Sequence, residues 1–365
     1  MHFFLHLTTR CDLNCKYCAQ EALEDLKFGK RRWELDYPPP EVSYEVRDLK
    51  GFLEKDDDPW VIFYGGEPLL RTDLIKEIMD EIRANYIIQT NGMRLEELGD
   101  YVRRFHTIIL SIDGKKETTD YFRGRGVYDK VIKSARWARE MGFKGELIAR
   151  MTVMEPVDVK EEVLHLLNLG LFDSVHWQLN ALFWEDLERR NFKEWLKDYN
   201  KGVRELINLW VENMKKGKVW RIYPFLGVMD SLLRDEPSLL RCGAGWAQYA
   251  ILTDGNISPC VAMAGMKEYY VGNIWESDPK NLKKVLVGEP CTSCDIYPLC
   301  GGRCLFANKT KLWGEEGFKL VCTSIRNLIS SLQEKLPEVR SLIQEGKIKL
   351  SHLNYHKFNS CEIIP

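Results

Sequence analysis

Six short β-rich runs alternating with helical stretches in roughly the first 180 residues restrict the folds open to this chain more than any other feature. The runs are "FFLHLT", "WVIFYGG", "NYIIQTNG", "TIILSIDG", "ELIARMTV" and "SVHWQLN". Between them, "TDLIKEIMDEIRA" and "YDKVIKSARWAREMG" carry apolar residues at helical spacing, and Gly142 stops the second. Strands alternating with helices imply parallel pairing through right-handed crossovers. Six such units suit an incomplete barrel better than a closed eight-stranded one, which needs ~250 residues. The fold class expected is therefore α/β, with a partial (β/α)6 barrel over residues 1–183.

The pattern then changes. Residues 184–218 read as a helical bridge rich in charge. Trp184, Trp195 and Trp210, with Trp177, either line a peptide groove or pack in the core. Eight of the eleven cysteines lie beyond residue 219, in glycine- and proline-bearing sequence without strong periodicity. That is the look of a small metal-stapled domain, assigned to 219–330. A helical tail, 331–365, follows, broken or kinked at Pro337.

A formal charge of −2 and no conspicuously basic half exclude a broad nucleic-acid footprint. No apolar run reaches the roughly 20 residues of a membrane helix. "MHFFLHLTTR" lacks the features of a signal peptide, so a cytoplasmic protein is expected. In a reducing cytosol, short-spaced cysteines are more often metal or cluster ligands than disulfides. Scarce Gln beside plentiful Glu and Lys hints at a thermophile, a setting in which cytosolic disulfides do occur.

Cys11, Cys15 and Cys18, in "CDLNCKYC", follow the first strand, where barrel folds place their chemistry. Three thiolates fall short of the four ligands of a structural zinc site. They suffice for three irons of a 4Fe–4S cluster, leaving the fourth free for a small molecule. The alternatives are buried structural thiols, or zinc completed by a distant residue such as His6.

"CDLNCKYC" resembles the CxxxCxφC signature of the radical S-adenosylmethionine (SAM) superfamily, with Tyr17 as φ. "GGEP", Gly65, Gly66, Glu67 and Pro68, resembles that family's GGE motif, which meets the amino group of SAM. Paired glycines let backbone approach a ligand, and Glu67 offers an acceptor for an ammonium. "QTNG", with Asn91, and "SIDG", with Ser111 and Asp113, resemble segments contacting ribose and methionyl groups. Arg123 and Arg150 are candidates for the SAM carboxylate. Singly, "TNG" and "DG" are ordinary turn chemistry; four motifs in order at strand ends are more specific. The resemblance covers roughly residues 3–180.

The later cysteines run C-x12-G-x4-C, then C-x2-C-x5-C-x3-C, then C, with Gly255 as the glycine. This resembles the SPASM extension of radical SAM enzymes that modify peptides and proteins, which binds two auxiliary 4Fe–4S clusters. Carried over, Cys291, Cys294, Cys300 and Cys322 would ligate one cluster, and Cys242, Cys260 and Cys304 would supply three ligands to the other. Cys361 remains. It would be the fourth ligand, a free terminal thiol, or part of a substrate-like segment. Taken alone, the same cysteines also suit a zinc ribbon.

The resemblance implies reductive cleavage of SAM to a 5′-deoxyadenosyl radical that takes hydrogen from a peptide or protein side chain. The electrons would come from a donor such as ferredoxin or flavodoxin. Sulfatase maturases carry a basic Asp directly after the G-x4-C cysteine; here Val261 stands there, which argues against that substrate. Cys11 also leaves little room ahead of the barrel for a leader-binding domain. A small-molecule substrate is the alternative within enzymes. An electron carrier would not need "GGEP", and a zinc-stabilised binding module would not need a three-cysteine site. The catalytic base is not legible.

Overall fold

The computed structural model describes residues 1–18 and 33–365. All six expected strands form. In chain order the elements begin with β1 (His2–His6), α1 (Val46–Leu53), β2 (Trp60–Tyr64), α2 (Thr72–Glu81), β3 (Asn85–Thr90) and β4 (Phe105–Ser111). Next come α3 (Lys116–Arg123), α4 (Val127–Glu140), β5 (Glu146–Val153), α5 (Val159–Asn168) and β6 (Ser174–Leu179). Then follow α6 (Phe192–Lys215), β7 (Arg221–Ile222), α7 (Tyr223–Arg234), β8 (Gln248–Ile251), β9 (Asn256–Ser258) and β10 (Gly272–Asn273). The last are α8 (Tyr297–Cys300), α9 (Leu305–Thr310) and α10 (Gly314–Gln344).

The chain divides into two units. The first comprises Met1–Ile112, Lys116–Ala149 and Gly243–Leu286. Its strands lie in the order β10-β9-β8-β1-β2-β3-β4. Pairing is parallel from β8 through β4 and antiparallel at β8–β9–β10. Strand faces alternate: Phe3 packs on Phe52 of α1, while Phe4 and His6 meet Tyr64. The parallel register carries the carboxyl ends of β1 to β4 to one edge, where the loops after β1, β2 and β3 meet.

The second unit comprises Asp113–Lys115, Arg150–Cys242 and Val287–Pro365. β6 and β7 pair in parallel. α6 buries Phe192, Trp195, Tyr199, Leu206 and Trp210 along one side, and Asn327 of α10 donates to the Asn200 carbonyl. Trp177 and Trp210 are fully buried core, as their apolar area favours. The break expected at Pro337 is corrected: α10 continues through it to Gln344. Pro337 and Gln333 lie on the exposed face, so the carbonyl the proline frees opens to solvent. Beyond the short turn Leu350–Leu353 the tail is irregular yet buried, with Asn359, Cys361 and Ile364 fully enclosed. Among the described residues no helix is long and apolar enough to cross a membrane.

Candidate functional site

In the first unit the loop after β1 is pinned on several sides. The Lys16 N–H donates to the Phe122 carbonyl (2.9 Å), and Tyr17 sits 5.7 Å from the Phe122 ring. The Arg123 guanidinium lies 5.4 Å from the Tyr17 ring centroid, a cation–π arrangement. The Cys18 N–H donates to the Cys15 carbonyl. Cys11 is exposed, and Cys15 and Cys18 are half-buried. The Cys11 thiol accepts from the Leu13 N–H (3.4 Å) and the Asn91 amide (3.8 Å). Burial, with Glu67, Asp12 and Cys15 nearby, pushes it up to about 11.

The glycines of "GGEP" have a defined task. The Gly66 N–H donates to Thr8 and the Glu67 N–H to Arg10, both at 2.8 Å. A Cβ on Gly65 would stand 2.3 Å from the Thr8 carbonyl oxygen, and one on Gly66 would stand 2.0 Å from that of Arg10. Only glycine lets the end of β2 lie this close to the cysteine loop.

Glu67 itself faces inward. Its carboxylate accepts from the Leu69 N–H (3.0 Å), the Thr90 hydroxyl (2.6 Å) and the Asn91 N–H (2.8 Å). It is 1% exposed, and burial pushes it up to about 7 despite those donors. The side chain expected to meet an ammonium thus ties β2 to β3, capping the turn that Pro68 begins. Asn91 is fixed in turn by Asp12, which accepts from its amide at 2.7 Å. Ser111 closes β4, half-buried.

Two other expected contacts lie in the second unit. Asp113, fully buried, accepts from the Thr152 N–H at 2.8 Å. Arg150 donates through Nη1 to the Ser360 carbonyl (2.9 Å), the Ser360 hydroxyl (2.7 Å) and the Cys361 thiol (3.7 Å). A candidate for the SAM carboxylate therefore holds this chain's own tail.

Cys291, Cys294, Cys300 and Cys322 come together in the second unit. Burial pushes the Cys291 thiol up to about 12 and the Cys322 thiol up to about 11, and their neighbouring thiols add to it. The Asn308 amide donates to Cys291 (3.5 Å) and Arg326 to Cys294 (3.1 Å). Cys291, Cys300, Cys304 and Cys322 line a small cavity closed by Leu182, Phe318, Val321 and Ile325. Arg303 enters it 5% exposed, and among the described residues none of its three guanidinium nitrogens has a hydrogen-bond partner. A buried cation among thiols calls for an anionic group, and a thiolate-bound cluster supplies one. Of the remaining cysteines, Cys242, Cys304 and Cys361 are buried in the second unit and Cys260 in the first. Among the described residues no three His, Cys, Asp or Glu side chains gather as one metal ion would require; a cubane cluster places each thiolate on a different iron.

Sequence reading missed Arg303, Asn308 and Arg326. Arg326 was within reach, since it lies one helical turn after Cys322. Arg303 was legible only as a cation between two cysteines in "CGGRC".

Residues 5–170 match the radical SAM superfamily. The chain is 23% identical over 369 residues to a cysteine-type anaerobic sulfatase-maturating enzyme of Clostridium perfringens, covering 92% of this chain and 96% of that one. It is 25% identical over 334 residues to the mycofactocin maturase MftC of Mycolicibacterium smegmatis, covering 82% and 77%. Its fold matches that of anSMEcpe with bound AdoMet and Kp18Cys peptide, at a TM-score of 0.73 and 19% identity, over 93% of this chain and 99% of that one.

Proposed function

We propose that this chain, whose residues 5–170 match the radical SAM superfamily, is a radical SAM enzyme that abstracts hydrogen from a side chain of a peptide or protein. When bound, the SAM-chelating 4Fe–4S cluster supplies the electron that cleaves SAM to methionine and the 5′-deoxyadenosyl radical. Cys11, Cys15 and Cys18 hold that cluster, with Asn91 and the Leu13 N–H donating to the Cys11 sulfur. Gly65 and Gly66 keep backbone close to the cysteine loop, Glu67 fixes β2 against β3, and Arg123 beside Tyr17 is the arginine kept for the SAM carboxylate. Ser111 and Asp113 close the strand ends expected to border the ribose and methionyl groups.

Two auxiliary clusters complete the reading. Cys291, Cys294, Cys300 and Cys322 hold one. For the other, the family resemblance gives Cys242, Cys260 and Cys304, and Cys361 is the candidate fourth ligand. An external protein such as ferredoxin or flavodoxin supplies electrons.

The observation that carries the peptide substrate is likeness along nearly the whole chain to two maturases. Val261 has no titratable atom, so a proton leaving the substrate must go to another residue than the one that sulfatase maturases use. The test uses reconstituted enzyme, SAM, reductant and a lysate of the source cells grown on deuterated medium, split into peptides with proteins and small molecules. Deuterium in 5′-deoxyadenosine from the peptide fraction alone supports the reading. Transfer only from the small-molecule fraction replaces it with the small-molecule alternative.

A further inference from the structure

We infer that Arg303 is the buried counter-charge of the site built by Cys291, Cys294, Cys300 and Cys322, and that it raises the reduction potential of the iron–sulfur cluster held there. The inference rests on the auxiliary-cluster reading above and assigns that site a polarity.

Three observations carry it. First, Arg303 differs from the other buried arginines of the same unit. Arg241, equally enclosed, donates to the carbonyls of Leu299 and Gly227 and to the Ser231 hydroxyl at 2.7, 2.7 and 3.0 Å. Arg190 is paired with Glu155. Among the described residues Arg303 has neither kind of partner on Nε, Nη1 or Nη2. A guanidinium left so would be strongly disfavoured. Second, the cavity it enters is lined by cysteines and apolar side chains, with no carboxylate to neutralise it. Third, the backbone is bent to aim it there. Gly301, Gly302 and Arg303 all have positive φ, of 67°, 91° and 54°. A Cβ would stand 1.9 Å from the Leu239 carbonyl oxygen at Gly301 and 2.7 Å from Val287 at Gly302. The left-handed conformation disfavours a side chain as large as arginine's, and an arginine kept in it between Cys300 and Cys304 fits a charge placed for a purpose.

The direction of the effect follows from charge. A four-thiolate cluster is anionic and gains one more negative charge on reduction. A cation donating to its sulfurs in a water-poor cavity stabilises the reduced state more than the oxidised one. A site biased in this way accepts an electron more readily than it supplies one.

The test is a redox titration, followed by electron paramagnetic resonance, of the full chain reconstituted anaerobically with Cys11, Cys15 and Cys18 replaced by Ala. Iron is assayed in parallel. Arg303→Gln keeps donors without charge, and Arg303→Lys keeps the charge. One auxiliary wave is expected to move to more negative potential in Arg303→Gln at unchanged iron, the other to stay, and Arg303→Lys to lie near the parent. Loss of one cluster's iron in Arg303→Gln but not in Arg303→Lys supports the same role. An unmoved wave in Arg303→Gln at full iron overturns the inference and leaves the auxiliary-cluster reading standing. Equal iron loss in both variants reduces Arg303 to packing and overturns it as well. Redox-silent parent protein, or zinc in place of iron, removes the auxiliary-cluster reading itself.

Discussion

Gly66 lets the end of one strand touch the loop that carries the cysteines, so a single methyl group at this position is a sharp probe. Gly66→Ala puts a carbon 2.0 Å from the Arg10 carbonyl oxygen, against backbone that has no rotamer to escape into. The variant should be less stable by about 1–3 kcal/mol and should lose the iron of the first site while keeping the auxiliary iron. Full iron in the variant would show that the loop tolerates displacement. His6 offers a pH test in the same unit. Burial holds its ring neutral and lowers its pKa from 6.5 to about 4, and among the described residues Nε2 has no hydrogen-bond partner. A pKa lowered on folding means stability fully present above pH 6.5 and lost as pH falls toward 4, about 3 kcal/mol over that window. Denaturant unfolding of the metal-free chain at pH 7 and pH 4 should therefore differ less in His6→Gln than in the parent; equal differences would clear His6 of the acid loss. The motif residues could be read from sequence because glycines and cysteines advertise their constraint. Glu67 could not be read fully, since nothing local says that Thr90 and Asn91, more than twenty residues later, will take up its carboxylate.

Strands and helices were legible where apolar periodicity runs long enough to outvote its exceptions. β1 to β6 each carry a run of β-branched or aromatic residues ended by a polar or glycine turn, and α10 keeps its apolar stripe across Pro337, which falls on the exposed face. Phe358–Pro365 has no such signal. Phe358 and Ser360 adopt positive φ (66° and 68°) without a glycine to announce it, and Asn359 accepts from the Cys361 N–H while its amide donates to Tyr223. His176 reaches the Ile363 carbonyl at 3.3 Å. The contacts to Tyr223 and His176 are long-range, and no window of sequence contains them. Arg150 is the main anchor of this segment, so Arg150→Met removes charge-assisted hydrogen bonds worth roughly 1.5–3 kcal/mol. Hydrogen exchange across 358–365 should rise about tenfold or more, while SAM affinity stays near that of the parent. Weakened SAM binding with unchanged exchange would instead return Arg150 to the carboxylate role that the sequence suggested.

At the scale of the whole molecule the eleven cysteines impose an arithmetic that no single element reveals. On the proposed reading, three thiolates for a cluster that leaves one iron to SAM, and four for each of two closed clusters, would account for every cysteine in the chain. The sum works only if Cys361 is a ligand, and the structure gives that idea a specific physical content. Cys361 is fully buried, its N–H is engaged by Asn359 and its sulfur lies 3.7 Å from the Arg150 guanidinium, so the thiol is enclosed and beside a positive charge. The guanidinium is the kind of neighbour that steadies an anionic sulfur, and enclosure keeps that sulfur away from solvent. Anaerobically reconstituted parent protein should hold about twelve irons with matching sulfide, as three cubane clusters require. Cys361→Ala and Cys361→Ser should each lower that count, or change the resonance of one auxiliary cluster while the first site still cleaves SAM. Serine makes the comparison decisive, because it keeps nearly the same volume and so separates ligation from packing. A Cys361→Ser protein with all its iron and an unaltered spectrum would leave one auxiliary iron without a cysteine, and that iron would become the place to look for a thiolate of the substrate peptide.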